Sequence, residues 1–492
     1  MLISLLLILP LVECLLLFLF KQEKLNGFLT ITYALIHFIV TGAYLFNDEL
    51  KFAGKYFHID NSNILFLSVL SIIFFAVSIY NKSYMKFEDV DVRRKRHYTY
   101  MLLIFVMAMT GVIISNNLGL SWVLVEATTL ASAYMIYFSK TKTSIEAAWK
   151  YVFICSIGIA LAFVGIILLS IATGELSSLN FGELMLNAKT FNHFWLKLSF
   201  IFILFGFGTK MGLAPVHFWL PDAHSEAPSP ASALLSAALL NSAFFVILKV
   251  FNLLVIAGCD SYARLMMFVM GFLSLFVAAV FIYHINNYKR MLAYSSIENM
   301  GILIIGTALG GVGMFAAMVH LIGHSLIKGA FFLTSGNILE VYGTKKIKKI
   351  NALLNVDKKT GWLWIAALLG ITAFPPSVLF ISEFLMIKSM FLQKHYILAL
   401  LFVLLLTIIL YGLAKAVIGM SYGEISQEKT EELQTKAKKL PLTMYLPQVA
   451  LLVIAFVLGV YIPLHLNELI QLSIFGLWEK LWIGWLLKIK KE

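Results

Sequence analysis

Long apolar runs alternate with short polar stretches along almost the whole chain. The opening run, LISLLLILPLVECLLLFLF, gives way to KQEK, and the same rhythm continues to residue 463. A run of about 20 residues wound into a helix matches the hydrocarbon thickness of a bilayer. The period-of-two alternation of a membrane β-barrel is missing from these runs. They predict spanning helices at 2–20, 27–46, 63–80, 99–115, 118–138, 151–172, 195–219, 230–254, 264–284, 292–310, 313–339, 362–391, 396–420 and 442–463, about fourteen in all. The first run lacks a basic start and a small-residue cleavage site and contains Glu13, so it reads as a spanning helix and not as a removed leader. The segment 466–488 carries Glu468, Glu479 and Lys480 among apolar and Trp residues, which suits either an interfacial helix or one more crossing. The expected fold class is an all-α polytopic membrane protein.

Composition agrees. Of 492 residues, 60% are hydrophobic and 13% charged, and mean hydropathy is +0.89. A soluble domain carries about 25% charge, so a soluble multidomain enzyme is excluded. The net charge of +12 does not point to nucleic acid, because the basic residues sit in short loops between apolar runs. Alternate loops hold most of them: Lys21 and Lys24; Lys82, Lys86 and Arg93 to Arg96; Lys140 and Lys142; Lys289 and Arg290; Lys345 to Lys359; Lys429 to Lys439. The other set holds Lys51, Lys55, Lys189, Arg264 and Lys394. The bias places the first set in the cytoplasm and the N-terminus outside, in a cell inner membrane. Cys14, Cys155 and Cys259 are far apart in or near apolar runs, which fits buried small side chains and not a metal or disulfide framework.

Ionisable side chains inside a bilayer cost several kcal/mol unless paired, hydrated or neutralised. Glu126, Lys210, His320, His324, Lys328 and Glu383 all fall inside predicted spans. His320, His324 and Lys328 follow at four-residue steps and therefore line one helix face. Groups one turn apart can pass a proton through intervening water. A free lysine titrates near about 10.4 and a free histidine near about 6.5; desolvation disfavours the charged form and a neighbouring carboxylate restores it. A glutamate that moves relative to such a lysine switches its hold on a proton. Lys249 and Lys415 lie near helix ends and are expected to snorkel to the headgroups. Local hydrogen bonds are expected to account for Glu13 and His37.

Two spans are interrupted. Gly212, Pro215 and Pro221 follow Lys210, and Pro375 and Pro376 precede Glu383. Proline removes backbone hydrogen bonds that something polar must replace. An ionisable residue beside a broken helix, twice and five spans apart, suggests an internal five-helix repeat with ion sites at the breaks.

The stretches VEATTLASA, SIEAAWKYVFICSIGIALAF, GTKMGLAPVHFWLPDAHSEAPSPASALL, YKRMLAYSSIENMGIL, HLIGHSLIKGAFFLTSGNI and FPPSVLFISEF resemble the proton-translocating antiporter-type subunits of respiratory complex I and the membrane-bound hydrogenases, nearest to the hydrogenase-4 component F type. The resemblance implies two inverted five-helix repeats, helices 4–8 within 99–254 and helices 9–13 within 264–420. A three-helix segment, 1–98, would precede them, and a C-terminal helix with an amphipathic tail, 421–492, would follow. It implies that Glu126 pairs with Lys210, that His324 and Lys328 lie on a central axis, and that Glu383 ends it. The bridging lysine of the family falls on Asn241, which cannot hold a proton, so the lateral step would need water or another residue. No dinucleotide loop, haem or cluster ligand set is present in the sequence. No cofactor is expected in this chain, and redox drive would come from other membrane subunits of a hydrogenase or NADH dehydrogenase complex. The expected function is proton translocation; the alternative is a subunit of a sodium/proton antiporter.

Overall fold

Polar residues at the ends of the apolar runs set where the helices start. In a bilayer an unsatisfied backbone N–H is expensive, so each first turn needs a side-chain acceptor or a polar surface. The computed structural model describes residues 2–174, 176 and 178–474. Helix α1 (Leu2–Leu19) and α2 (Glu23–Phe46) are followed by a two-residue hairpin, β1 (Phe52–Ala53) with β2 (His58–Ile59). Asp60 then opens α3 (Asn61–Phe87) with a capping box: it accepts the Asn63 N–H at 3.0 Å while the Asn63 side chain accepts the Asp60 N–H at 2.8 Å. Asp91, Asn117, Thr141 and Asn192 cap α4 (Val92–Ile114), α5 (Leu118–Ile136), α6 (Lys142–Ala172) and, after the short α7 (Phe181–Asn187), α8 (His193–Met211). Next come α9 (Trp219–Glu226) and α10 (Ser229–Leu234), which runs through a π-helical turn, Leu235–Leu239, into α11 (Leu240–Ile256). The second half comprises α12 (Asp260–Ile282), α13 (Tyr288–Leu309), α14 (Gly311–Tyr342), α15 (Leu353–Val356), α16 (Lys358–Ile371), α17 (Val378–Leu392) and α18 (Tyr396–Ser421). A polar helix α19 (Gln427–Ala437) and the apolar α20 (Leu446–Val460) close the described chain.

Among the described residues, twelve helices are long and apolar enough to cross a membrane, or thirteen if α20 and the helix Leu464–Ile474 are one span bent by 82°. The chain is thus a multi-pass all-α membrane protein. Two predicted spans are not single helices. The run 195–219 stops as α8 at Met211, and 362–391 divides into α16 and α17 around 372–377. The run 466–488 begins inside the helix Leu464–Ile474, and its remainder, with Glu479 and Lys480, lies outside the described residues.

Enclosure is uneven. Helices α13 and α14 and the α10–α11 unit are packed on nearly all sides, whereas α1 and α18 leave most of their apolar surface free. An apolar surface such as Leu400, 73% exposed, and Ile397, 82% exposed, suits lipid or a neighbouring subunit. The ionisable residues lie mainly on the enclosed helices. Each break follows three long helices and precedes another: α4, α5, α6, broken α8–α9, then α10–α11; and α12, α13, α14, broken α16–α17, then α18.

Candidate functional site

Helix α8 ends one residue after Lys210 and one before Gly212, whose φ of 80° needs the left-handed region that glycine reaches most cheaply. The break frees backbone groups, and neighbours satisfy them. The Trp219 indole N–H donates to Thr209 O at 2.8 Å, and the Ala214 N–H donates to Ser274 Oγ of α12 at 2.9 Å. Pro215 lies in the irregular link, while Pro221 lies in the first turn of α9, where a missing N–H costs nothing. Pro221 therefore starts the second half-helix and does not interrupt the first.

Lys210 is fully buried at this break. Its Nζ donates to Tyr151 Oη at 2.8 Å and lies 4.8 Å from that ring's centre. The Tyr151 hydroxyl shares a hydrogen bond of 2.5 Å with Ser132 Oγ, and Ser132 also reaches Thr129 O at 3.3 Å. Thr129 Oγ1 donates to Glu126 Oε2 at 2.9 Å, and Ser156, which is exposed, reaches Glu126 Oε1 at 3.4 Å. Glu126 and Lys210 are not in contact: among the described residues no ion pair joins them. Tyr151 and Ser132 stand between them, and the hydrogen-bond path breaks at Thr129, whose backbone carbonyl accepts from Ser132 while its hydroxyl donates to Glu126. Glu126 sits at the rim of the chain and Lys210 in its interior.

The centre of the molecule is built on the π-helical turn. An i→i+5 turn widens the helix and is frequent at functional sites. Ser236 within it shares a 2.8 Å hydrogen bond with Ser296 of α13, and Ser296 donates to Leu292 O at 3.1 Å. The same carbonyl accepts from Lys328 Nζ at 2.7 Å. Two residues beyond the π turn, Asn241 donates from Nδ2 to Ser325 Oγ of α14 at 2.7 Å and to Ala237 O at 2.9 Å. The polar face of α14 is thereby tied to α10–α11 by two separate bridges. Lys328, His324 and His320 are all fully buried on that face.

On the far side, His320 Nδ1 lies 3.0 Å from Ser382 Oγ on α17, one residue from Glu383. Thr372 and Ala373 of the break, with Glu298 of α13 and Glu383 of α17, line a cavity of about 240 Å³ rimmed by exposed Phe380 and Phe384. Pro375 and Pro376 lie in the break between α16 and α17, as Gly212 and Pro215 lie in the other. At another place, Glu88, Glu226, Lys289 and Lys345 line a cavity of about 360 Å³. Its walls come from the loops with the basic excess. Lys289 is buried there and donates to Ala227 O at 2.8 Å. His224 of α9 lies deeper, fully buried and stacked on Phe332 of α14 at 4.6 Å.

Several of these side chains keep buried polar atoms without a partner: both nitrogens of His224 and His324, His320 Nε2, Glu298 Oε2 and Asn241 Oδ1. Such atoms cost about 1–3 kcal/mol each when left bare, and here they gather on α9, α11, α13 and α14. No direct hydrogen bond joins Lys210 to Asn241, or His324 to Lys328, among the described residues. Sequence reasoning missed Tyr151, Ser132, His224 and Glu298. For Glu298 the signal was available, as a carboxylate within the predicted span 292–310.

Two expectations are corrected. Lys249 does not snorkel to headgroups: its side chain is 8% exposed and its Nζ pairs with Asp60 at 3.0 Å. Glu13 has no local hydrogen bond, since both its oxygens are buried without partners, whereas His37 is held by Ser71 at 2.6 Å and Thr110 at 2.9 Å.

Residues 115–408, more than half the chain, match the family described as NADH:quinone oxidoreductase/Mrp antiporter, transmembrane. The chain belongs to this family. Within it, the chain is similar to the hydrogenase-4 component F homolog of Methylacidiphilum infernorum, with 34% identity over 476 residues, 94% of this chain and 97% of that protein. It is also similar to a sodium/proton antiporter protein of Alkalihalophilus pseudofirmus, with 26% identity over 383 residues covering 76% of this chain and 75% of that one. In fold, it is similar to a chain of the membrane-bound sulfane sulfur reductase, an archaeal respiratory membrane complex. That match has a TM-score of 0.85 and 20% identity, and covers 96% of both chains.

Proposed function

We propose that this protein is the proton-translocating membrane subunit of a redox-driven complex of the hydrogenase-4 or NADH:quinone oxidoreductase type, held in the cell inner membrane with its N-terminus outside. The observation that carries this reading is the set of ionisable side chains inside the helix bundle, with Lys210, His324, Lys328 and Glu298 buried, Glu126 and Glu383 half-buried, and Asn241 and several hydroxyls standing between them. A proton is taken up from the inner side through the cavity of Glu226 and Lys289 and passes inward by way of His224. Lys210 and Lys328 store it, each held at a helix face that excludes bulk water. Glu126 acts on Lys210 as a charge, across the Tyr151–Ser132 pair. Water bridges the unpaired atoms of Asn241 and His324, since asparagine itself cannot carry the proton. Glu298 and Glu383 deliver it to their cavity. The two groups of helices act as the repeats 99–254 and 264–420, each with one proton-storing lysine, Lys210 and Lys328. Neighbouring membrane subunits supply the redox chemistry, and no cofactor is assigned to this chain.

The similarity to a sodium/proton antiporter protein favours a second reading, in which sodium exchanges for the proton. Sodium requires several oxygen ligands, and Lys210 has the hydroxyl of Tyr151 and little else. Proteoliposomes containing the intact complex decide the matter. Redox-driven acidification that persists without sodium and collapses in Lys210→Ala and Glu126→Ala supports the proton reading. Sodium-dependent exchange by this chain alone overturns it.

A further inference from the structure

Three of the first four long helices enclose a basic cavity that the conduction machinery does not use. Helices α2, α3 and α4 meet around a space of about 680 Å³ lined by Lys24, Lys82, Lys86 and Lys95, with Glu23 as the one carboxylate. Glu23 is already committed: it pairs with Lys95 at 3.3 Å. Lys24, Lys82 and Lys86 have no ion pair among the described residues, so three ammonium charges face one cavity without compensation. The Lys82 stem lies against Gly27 of α2 so closely that a Cβ there would stand 2.8 Å from Lys82 Cγ. The stem of Lys82 thus packs on α2, while its charged end is exposed.

Two further observations narrow the ligand. Asn26 and Asn81, 8% and 4% exposed, line the same cavity, and the Oδ1 atom of each is buried without a partner. These are acceptors and call for a donor. Leu25, Phe28 and Met85 form the apolar part of the lining, and Phe28 is 60% exposed at the surface of the bundle. An anion with hydroxyl donors and an apolar tail satisfies all three features. Basic pockets between membrane helices at the cytoplasmic end take acidic headgroups.

We propose that this cavity binds the headgroup of an anionic glycerophospholipid, its phosphate on Lys24, Lys82 and Lys86 and its glycerol hydroxyls on Asn26 and Asn81. A zwitterionic headgroup brings an ammonium that the three lysines repel. The test uses the full chain with its co-purifying subunits, reconstituted in phosphatidylcholine nanodiscs doped with phosphatidylglycerol or phosphatidylethanolamine and then washed with detergent. Mass spectrometry reads the retained lipid. Wild type retains phosphatidylglycerol over phosphatidylethanolamine by about tenfold, and the preference approaches unity when Lys24, Lys82 and Lys86 are all replaced by Gln. The charge-preserving triple Arg variant keeps it, which separates charge from folding, and millimolar inorganic phosphate does not displace the lipid. Equal retention of the two lipids in wild type overturns the proposal, as does displacement by free phosphate. An acidic segment of a neighbouring subunit cross-linked to Lys82 or Lys86 in place of lipid also overturns it.

Discussion

Tyr151 is the residue on which the interior of the first half turns. It touches Lys210 directly and shares a hydrogen bond with Ser132, one helical turn from the Thr129–Glu126 pair. A hydrogen bond to a charged group is worth about 1.5–3 kcal/mol. Tyr151→Phe should therefore lower redox-driven proton transport by about tenfold or more while leaving assembly intact, as measured by dye quenching in inverted vesicles. Glu298→Gln should impair transport as severely as Glu383→Gln, because both carboxylates line the one cavity; full transport in Glu298→Gln would remove it from the route. Glu126, Lys210 and Glu383 were legible in the sequence because a charge in an apolar run demands a reason. Tyr151 and Ser132 were not, since an uncharged polar residue in such a run looks the same whether it relays or merely packs. His224 falls between two predicted spans, so its complete burial had no trace in the pattern.

The two breaks and the π turn are local departures from helix that let distant side chains meet. Gly212→Ala forces a left-handed backbone on a residue with a Cβ, which costs about 1 kcal/mol, and its new methyl meets Leu220. A lower unfolding temperature in detergent, with Lys210 intact, is the expected result. Asp60 offers a test in pH. Burial would push its carboxyl up, but Lys249, His58, Ser62 and the Asn63 N–H outweigh it and hold the group well below the ordinary carboxylate range. Because the folded value is the lower one, the stabilisation is whole above about pH 4, near the unfolded carboxyl's pKa, and is lost as pH falls through the folded value. Asp60→Asn keeps a capping oxygen but removes the charge paired with Lys249, so it should cost about 1.5–3 kcal/mol at neutral pH, with the difference from wild type shrinking in acid. Thermal unfolding at pH 7 and pH 3.5 measures it. Apolar runs foretold where the long helices lie, and Gly212 and Pro375 foretold the breaks. The π turn was hidden, because Leu235 to Leu239 has an ordinary helical composition, and so was the Lys249–Asp60 pair, which joins residues far apart in the chain.

At the scale of the whole molecule, enclosure and exposure divide the labour. Buried charge lies on α8, α13 and α14, wrapped by helices such as α1 and α18 whose outer faces are apolar. Neighbouring membrane subunits are expected to cover part of that surface, and cross-linking from α18 in intact membranes should capture them. The polarity of the loops made the membrane fold legible at once, and the resemblance of its motifs indicated the family. Neither told which side chains touch, since contacts between helices depend on rotation about each axis and not on the position of a run.

Glu126 lies at the rim beside exposed Ser156, and the Glu298–Glu383 cavity is edged by exposed phenylalanines. Polar groups therefore reach the perimeter at two separate places. On the proposed route, a charge brought up against Glu126 from outside the chain would alter the hold of Lys210 on its proton. If the proposed route holds, whatever adjoins those two places bears on the interior, and the protein is a link in a lateral series before it is a channel of its own.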